Sequence, residues 1–179
     1  MFVLVVRMET VNTIMAIAAQ HKWKVYQMEV KSAFLNGVFK EEVYVVQLLG
    51  YEVEGQEEKV YHLRKALYGL KQAPHAWYSR IDSYLLDNGF DKCDAEPTLY
   101  INENDGKILI ILLYVDDLIF IISDDFLIVD LKQVMKNEFE MTILGLLRYF
   151  LGIEVKQIEN GIFISQAKYV ADILERFKM

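Results

Sequence analysis

The spacing of apolar and polar positions along the chain changes period several times, and each change marks an element. In Glu9 to Gln20 (ETVNTIMAIAAQ), Val11, Ile14, Met15 and Ala18 recur at helical spacing and predict a helix. Trp23 to Val30 (WKVYQMEV) alternates instead, with Val25, Gln27 and Glu29 on one face, which predicts a strand running into a turn at Asn36-Gly37. Short strands are expected near Glu42 to Val46 and Lys59 to Leu63, around a loop carrying Gly50 and Gly55. Pro74 opens an expected helix that presents Trp77, Ile81, Tyr84 and Leu85 on one face and stops at Asn88-Gly89. A strand near Thr98 to Ile101 follows. Two short runs rich in Ile and Val, Ile108 to Val115 and Leu118 to Ser123, then predict a β-hairpin with Asp116-Asp117 at its tip. A helix is expected from about Asp124 to Glu138, with Leu127, Leu131, Val134 and Met135 inward and Ser123 or Asp124 as its cap. Strands at Arg148 to Val155 and Ile162 to Ser165 precede a last helix, capped by Ser165, with Tyr169, Val170, Ile173, Leu174 and Phe177 as its stripe.

The principal elements run strand (25 to 30), helix (75 to 88), strand (108 to 115), strand (118 to 123), helix (124 to 138), strand (148 to 155). That order is the split βαββαβ arrangement of an α+β, ferredoxin-like fold. There the first and third strands are neighbours, so the end of the Val25 to Val30 strand, with Glu29, is expected beside the Asp116-Asp117 tip. With no internal repeat, low-complexity tract or linker, residues 1–179 are expected to form one domain.

Composition narrows the class. Apolar residues make up 54% of the 179, which suits a folded domain with a core and excludes a disordered chain. The apolar stretch 108–123 is shorter than the roughly 20 residues of a membrane span, and each central Asp would cost about 3 kcal/mol in a bilayer. The run Phe2 to Val6 is ended by Arg7 and Glu9 before it reaches the length of a signal-peptide core, so an intracellular protein, neither secreted nor membrane-bound, is expected. One cysteine, Cys93, excludes an internal disulfide, and His21, His62 and His75 lie too far apart to suggest zinc. The net charge of −7 argues against holding nucleic acid by bulk electrostatics. Locally the sign reverses: from Lys59 to Arg80 the chain carries Lys59, Arg64, Lys65, Lys71 and Arg80 with no acidic residue.

One Asp at a hairpin tip is an ordinary turn residue. Two adjacent carboxylates on an apolar hairpin repel each other and raise each other's pKa unless a cation lies between them. With Glu29 brought alongside, three carboxylates suit a pair of Mg²⁺ ions of the phosphoryl-transfer kind.

Here the sequence resembles a family. Tyr114-Val115-Asp116-Asp117 looks like the YxDD box of reverse transcriptases. QMEVKSAFLNG (27 to 37), VYHLRKALYGLKQAPHAWY (60 to 78), LLYVDDLIF (112 to 120) and LRYFLGIEV (147 to 155) are similar in order and spacing to copia-type retrotransposon polymerases. The resemblance implies the palm of a right-hand polymerase with a partial fingers hairpin and a C-terminal helix, the fingers and thumb incomplete and no RNase H. It implies an RNA-directed DNA polymerase, a nucleotidyltransferase using two Mg²⁺ ions, or Mn²⁺, on a primed RNA or DNA template with deoxynucleoside triphosphates, within a longer polyprotein that supplies the missing polymerase and RNase H segments. Asp116 and Asp117 match the metal-binding pair. Glu29 falls where the family has its other metal-binding aspartate, with the carbonyl of Val30 as a further ligand. Lys31, Ser32 and Ala33 would approach the triphosphate through backbone N–H groups, and Phe34 would crowd the sugar 2′ position. Gly69, Lys71 and Gln72 would lie near the nucleotide, and Tyr114, Leu151 and Gly152 near the primer.

The departures matter as much. Glu in place of Asp at residue 29 extends the carboxylate by a methylene, and a misplacement of about 1 Å can cost on the order of 10²-fold in rate. Leu4 and Leu48 stand where the family usually has Pro, and Ile143 where it has Asp. An impaired polymerase is therefore expected. The alternatives are a catalytically dead palm fragment, at most a binding or assembly module, and a ligand-binding domain whose Asp pair merely caps a hairpin.

Overall fold

The computed structural model describes residues 6–124 and 126–178; Leu4 and most of the run from Phe2 lie outside the described residues. It is a mixed α/β chain whose strands pair antiparallel throughout. Helix α1 (Met8–His21) leads into β1 (Lys24–Val30), then β2 (Val38–Val46), β3 (Val60–Lys65) and α2 (Ala73–Asp87). Next come β4 (Asp91–Lys92), β5 (Leu99–Asn104), β6 (Lys107–Tyr114), β7 (Asp117–Ile122), α3 (Phe126–Glu138) and β8 (Met141–Leu146). The chain closes with β9 (Tyr149–Phe150), β10 (Ile153–Ile158), β11 (Gly161–Ser165) and α4 (Ala167–Arg176). Two compact units share these elements: a hairpin unit, Ser32–Asn88, and a sheet unit made of the described residues up to Lys31 and from Gly89 onward.

The sheet unit is built on six strands in the order β4-β5-β6-β7-β1-β8. Alternation along β1 explains its two faces. Val25, Gln27 and Glu29 project to one side, in register with Ile121, Ile119 and Asp117 of β7. Toward the β1 start this face is apolar, and Val25, Ile119, Ile121, Ile110 and Leu112 pack with Val11, Ile14, Met15 and Ala18 of α1 and with Phe150, Ile153 and Val155. The predicted α1 stripe is thus the one that is buried. On the opposite face Met28, Leu118, Phe120 and Ile111 are fully buried, and Lys132 of α3 lies with its Nζ 5.1 Å from the Tyr26 ring centre. A second sheet, β11-β10-β9, belongs to the same unit. Gln157 on β10 ties it to β1: its Oε1 accepts from the Val25 N–H at 2.9 Å, and its Nε2 donates to the carbonyls of Val25 at 2.8 Å and Leu147 at 3.2 Å.

In the hairpin unit β2 pairs with β3, and α2 follows with Ala73, Ala76, Trp77, Ile81 and Leu85 buried, while Tyr84 is only half-buried. Residues Ala33–Asn36 form a 3₁₀ turn before Gly37. Gly37 has an extended backbone, so its need for glycine is one of space: a Cβ there would stand 2.6 Å from the Trp77 nitrogen and 2.8 Å from the Ala76 carbonyl carbon.

Several expectations need correcting. The strand beside β1 is β8, which the periodicity did not predict, whereas 148–155 is a hairpin, broken at Leu151-Gly152 into β9 and β10, in the other sheet. In α3 the buried residues are Ile128, Leu131 and Met135; Val134 is exposed and Leu127 half-buried, because the helix is rotated relative to the predicted stripe. Asp124 takes the capping role, accepting the Phe126 N–H at 2.9 Å, while the Ser123 hydroxyl accepts the Ile108 N–H instead. The Ser165 hydroxyl donates to Glu154 rather than capping α4, whose N-cap residue is Gln166, and α4 buries none of its side chains.

Candidate active site

The β6–β7 hairpin closes on the pair Tyr114 and Asp117, so Val115 and Asp116 are its two loop residues and Asp117 is already in a strand. Of the two, only Val115 has a positive φ, +55°, the pattern of a type II′ turn, where glycine is the ordinary occupant. A β-branched residue in that region carries about 1–2 kcal/mol of backbone strain. The turn is held against the end of β1, where the Val30 N–H donates to the Asp116 carbonyl at 2.8 Å.

Register decides which carboxylates meet. Glu29 is paired directly with Asp117, and the row continues to Tyr114 on β6 and Thr142 on β8. Directly opposed side chains share a face, with Cβ atoms about 4.5–5.5 Å apart. Gln27, one step back on the same face, donates from Nε2 to Asp117 Oδ1 at 2.9 Å. Partial burial pushes the Asp117 carboxyl up in pKa, the Gln27 hydrogen bond draws it down, and the charge of Asp116 raises it again; the balance lies above the ordinary value. Asp116 stands in the turn, outside that row, and among the described residues no group of three or more His, Cys, Asp or Glu side chains is gathered closely enough to hold a metal ion. Of the three predicted acids, Glu29 and Asp117 face each other in register and Asp116 lies on the adjoining turn, without being gathered into one group. In donor chemistry the set fits: carboxylate and carbonyl oxygens are the ligands Mg²⁺ takes.

The remaining predicted residues divide between the two units. Lys31 ends the strand segment with its N–H given to the Glu140 carbonyl at 2.8 Å and its Nζ to the Glu140 carboxylate at 2.8 Å, a pairing that raises the lysine's pKa. Tyr114 meets Phe150 edge-on, ring centres 5.7 Å apart, so the box touches the β9–β10 hairpin. Leu151 and Gly152 are the two loop residues of that hairpin, with φ of +50° and +79°, a type I′ pattern.

Within the hairpin unit, Ser32 has φ +49°, Ala33 is buried, and Phe34 lies against the Tyr68 ring with centres 4.4 Å apart. Gly69 has φ +87° and open space where a Cβ would stand, so backbone conformation is what calls for glycine there. Lys71 is exposed, and Gln72 is the N-cap residue of α2 without a side-chain capping bond. Two residues escaped the sequence reading. Tyr68, next to Gly69, is set apart only by its place against the Phe34 ring. Gln27 had been placed on the Glu29 face with no role, because a side-chain hydrogen bond between strands leaves no trace in periodicity.

Comparison with known proteins adds an independent line. The profile described as reverse transcriptase (RNA-dependent DNA polymerase) matches residues 1–179. The chain is 38% identical over 178 residues to the retrovirus-related Pol polyprotein from transposon TNT 1-94 of Nicotiana tabacum, covering 98% of this chain and 13% of the relative. It is 34% identical over 175 residues to the corresponding polyprotein from transposon RE2 of Arabidopsis thaliana, 98% of this chain and 12% of the relative. A putative transposon Ty5-1 protein of Saccharomyces cerevisiae is 34% identical over 145 residues, 80% of this chain and 47% of the relative. The chain thus spans about an eighth of the length of the plant polyproteins it matches.

Proposed function

Since the chain belongs to the reverse transcriptase family, with copia-type transposon Pol polyproteins among its relatives, we propose that it is the palm region of a template-directed DNA polymerase, weakened at one position. The observation that carries this is the facing pair of Glu29 and Asp117 at the open end of a strand row, next to the tight turn that bears Asp116. The strand order β6-β7-β1-β8, with α2 following β1 and α3 following β7 in the chain, supports the ferredoxin-like palm, with β8 as its fourth strand.

In this reading Glu29, Asp116 and Asp117, with the Val30 carbonyl, hold divalent cations. Bound there, Mg²⁺ or Mn²⁺ lowers the pKa of a primer 3′-hydroxyl and takes up charge developing at the α-phosphate of a deoxynucleotide. The chain's own contribution is placement. β1 and β7 fix two carboxylates on one face, the Val30–Asp116 main-chain bond fixes the turn, and Tyr114 against Phe150 fixes the neighbouring hairpin for the primer end. The roles of Lys31, Ser32, Ala33, Phe34, Gly69, Lys71 and Gln72 toward the nucleotide, and of Leu151 and Gly152 toward the primer, belong to the same proposal.

A second reading, a catalytically silent palm module, is favoured by the lack of a three-acid group among the described residues and by the longer side chain at Glu29. Primer extension with Mg²⁺ or Mn²⁺ separates the two. We expect weak extension by the unaltered chain, a gain toward the order of 10²-fold on Glu29→Asp, and none from Asp116→Asn. Extension by Asp116→Asn equal to that of the unaltered chain would refute the polymerase reading; silence of all three proteins would favour the module.

A further inference from the structure

Gln27 stands out among the polar side chains near the carboxylates because both of its strand neighbours leave it free to lean along β1. On the β7 side it is in register with Ile119, an apolar residue that offers no hydrogen bond. On the β8 side it is in register with Gly145, at a point where the pairing slips by one residue and Leu144 is skipped. Gly145 takes φ +87°, and the space where its Cβ would stand is open. Its register partner on β8 thus offers no side chain, and the Gln27 amide reaches past one residue step to Asp117 Oδ1, 2.9 Å away. Bulges are used at such places to re-aim a side chain.

We propose that Gln27 is a positioning residue for the cation site: its amide holds Asp117 by Oδ1 in one rotamer, facing Glu29, and leaves Oδ2 for the ion. This deepens the polymerase reading and rests on it. A carboxylate with one oxygen tied has fewer orientations to lose when it binds, and such outer partners of ligating groups typically change metal affinity 10- to 100-fold. The nitrogen end is the one that matters, since an acceptor there would repel the carboxylate.

The test is Mn²⁺ binding to the full chain by electron paramagnetic resonance, which needs no turnover. Gln27→Met keeps the side chain's length and removes the donor. We expect it to raise the Mn²⁺ dissociation constant by on the order of 10-fold, with circular dichroism and the melting temperature unchanged. In an Asp117→Ala background, which removes the acceptor, the same substitution should have no further effect, because the two act through one bond. If the chain binds Mn²⁺, and Gln27→Met binds it as tightly, or the two substitutions weaken binding additively, the positioning role is overturned and the polymerase reading stands. If the unaltered chain binds no Mn²⁺, both fall together. Should Gln27→Met melt lower, Gln27→Asn, which keeps the amide but shortens the side chain by a methylene so that it no longer reaches Asp117, provides the second comparison: weakened Mn²⁺ binding supports the proposal, and unchanged binding overturns it.

Discussion

Glu96 shows how much one side chain can organise. It is 6% exposed, and it accepts hydrogen bonds from the Thr98 hydroxyl at 2.8 Å, the Thr10 hydroxyl at 3.1 Å and the Arg7 N–H at 3.4 Å. The N-cap residue of α1, Arg7, makes no side-chain cap, so a carboxylate from a distant segment takes that position, where a negative charge suits the helix dipole. Burial alone would push the Glu96 pKa up; the donors of Thr98, Arg7 and Thr10 outweigh it and hold it below the ordinary 4.5. A lowered folded-state pKa means stability that is fully present above the unfolded value and lost as pH falls through the folded one. Chemical denaturation of the protein and of Glu96→Gln should therefore differ most above about pH 5, with the gap closing as pH drops below 4.5. A gap that widens on acidification would contradict this account.

At the scale of elements, the Gln157 bridge is the contact that carries the most consequence. One amide pairs with both main-chain groups of Val25, as a neighbouring strand would, and joins β10 to β1. Gln157→Ala leaves the Val25 N–H without that partner, while the Val25 carbonyl keeps the Leu147 N–H at 2.8 Å, and one buried group so left costs about 1–3 kcal/mol. A drop of that size in urea-unfolding free energy is the expected outcome. This level also shows what could be read in advance. The stripe of α1 and the alternation of β1 were legible, since their apolar faces are continuous and regular. β8 was hidden because the slip at Leu144 resets its alternation: Thr142 lies in the Glu29 row, but Gly145, three residues on, lies in the Gln27 row, so no period of two survives. Likewise 148–155 read as one strand because a type I′ turn of Leu151-Gly152 keeps an apolar residue where a polar one is usual. The site was legible as a motif and as a face; the turn position of Asp116 and the Gln27 bond depended on three-dimensional placement.

For the whole chain, charge and exposure set the behaviour to expect. At −7 overall, any binding of a primed template that the proposed function calls for should rest on local basic stretches such as Lys59 to Arg80 and weaken steeply with salt. Within the hairpin unit, the segment between β2 and β3 is exposed, with Leu48 at 71%, Leu49 at 93% and Tyr51 at 77%. Loop tips of this kind are the preferred sites of nicking. Limited chymotrypsin digestion should cut first at Leu49 or Tyr51, as read by mass spectrometry of the early fragments; first cuts inside β6 or β7 would be the contrary result. Among the described residues no helix is long and apolar enough to cross a membrane.

The two-residue turn at Val115-Asp116 leaves the hairpin without slack. Because strand side chains alternate, inserting a single residue there would move Asp117 into the place of Leu118 and Leu118 into that of Ile119, turning a charge toward the packed interior and removing the carboxylate from opposite Glu29. Chain length at this point is thus specified as tightly as composition, and in-frame insertions or deletions should be tolerated worse there than conservative replacements.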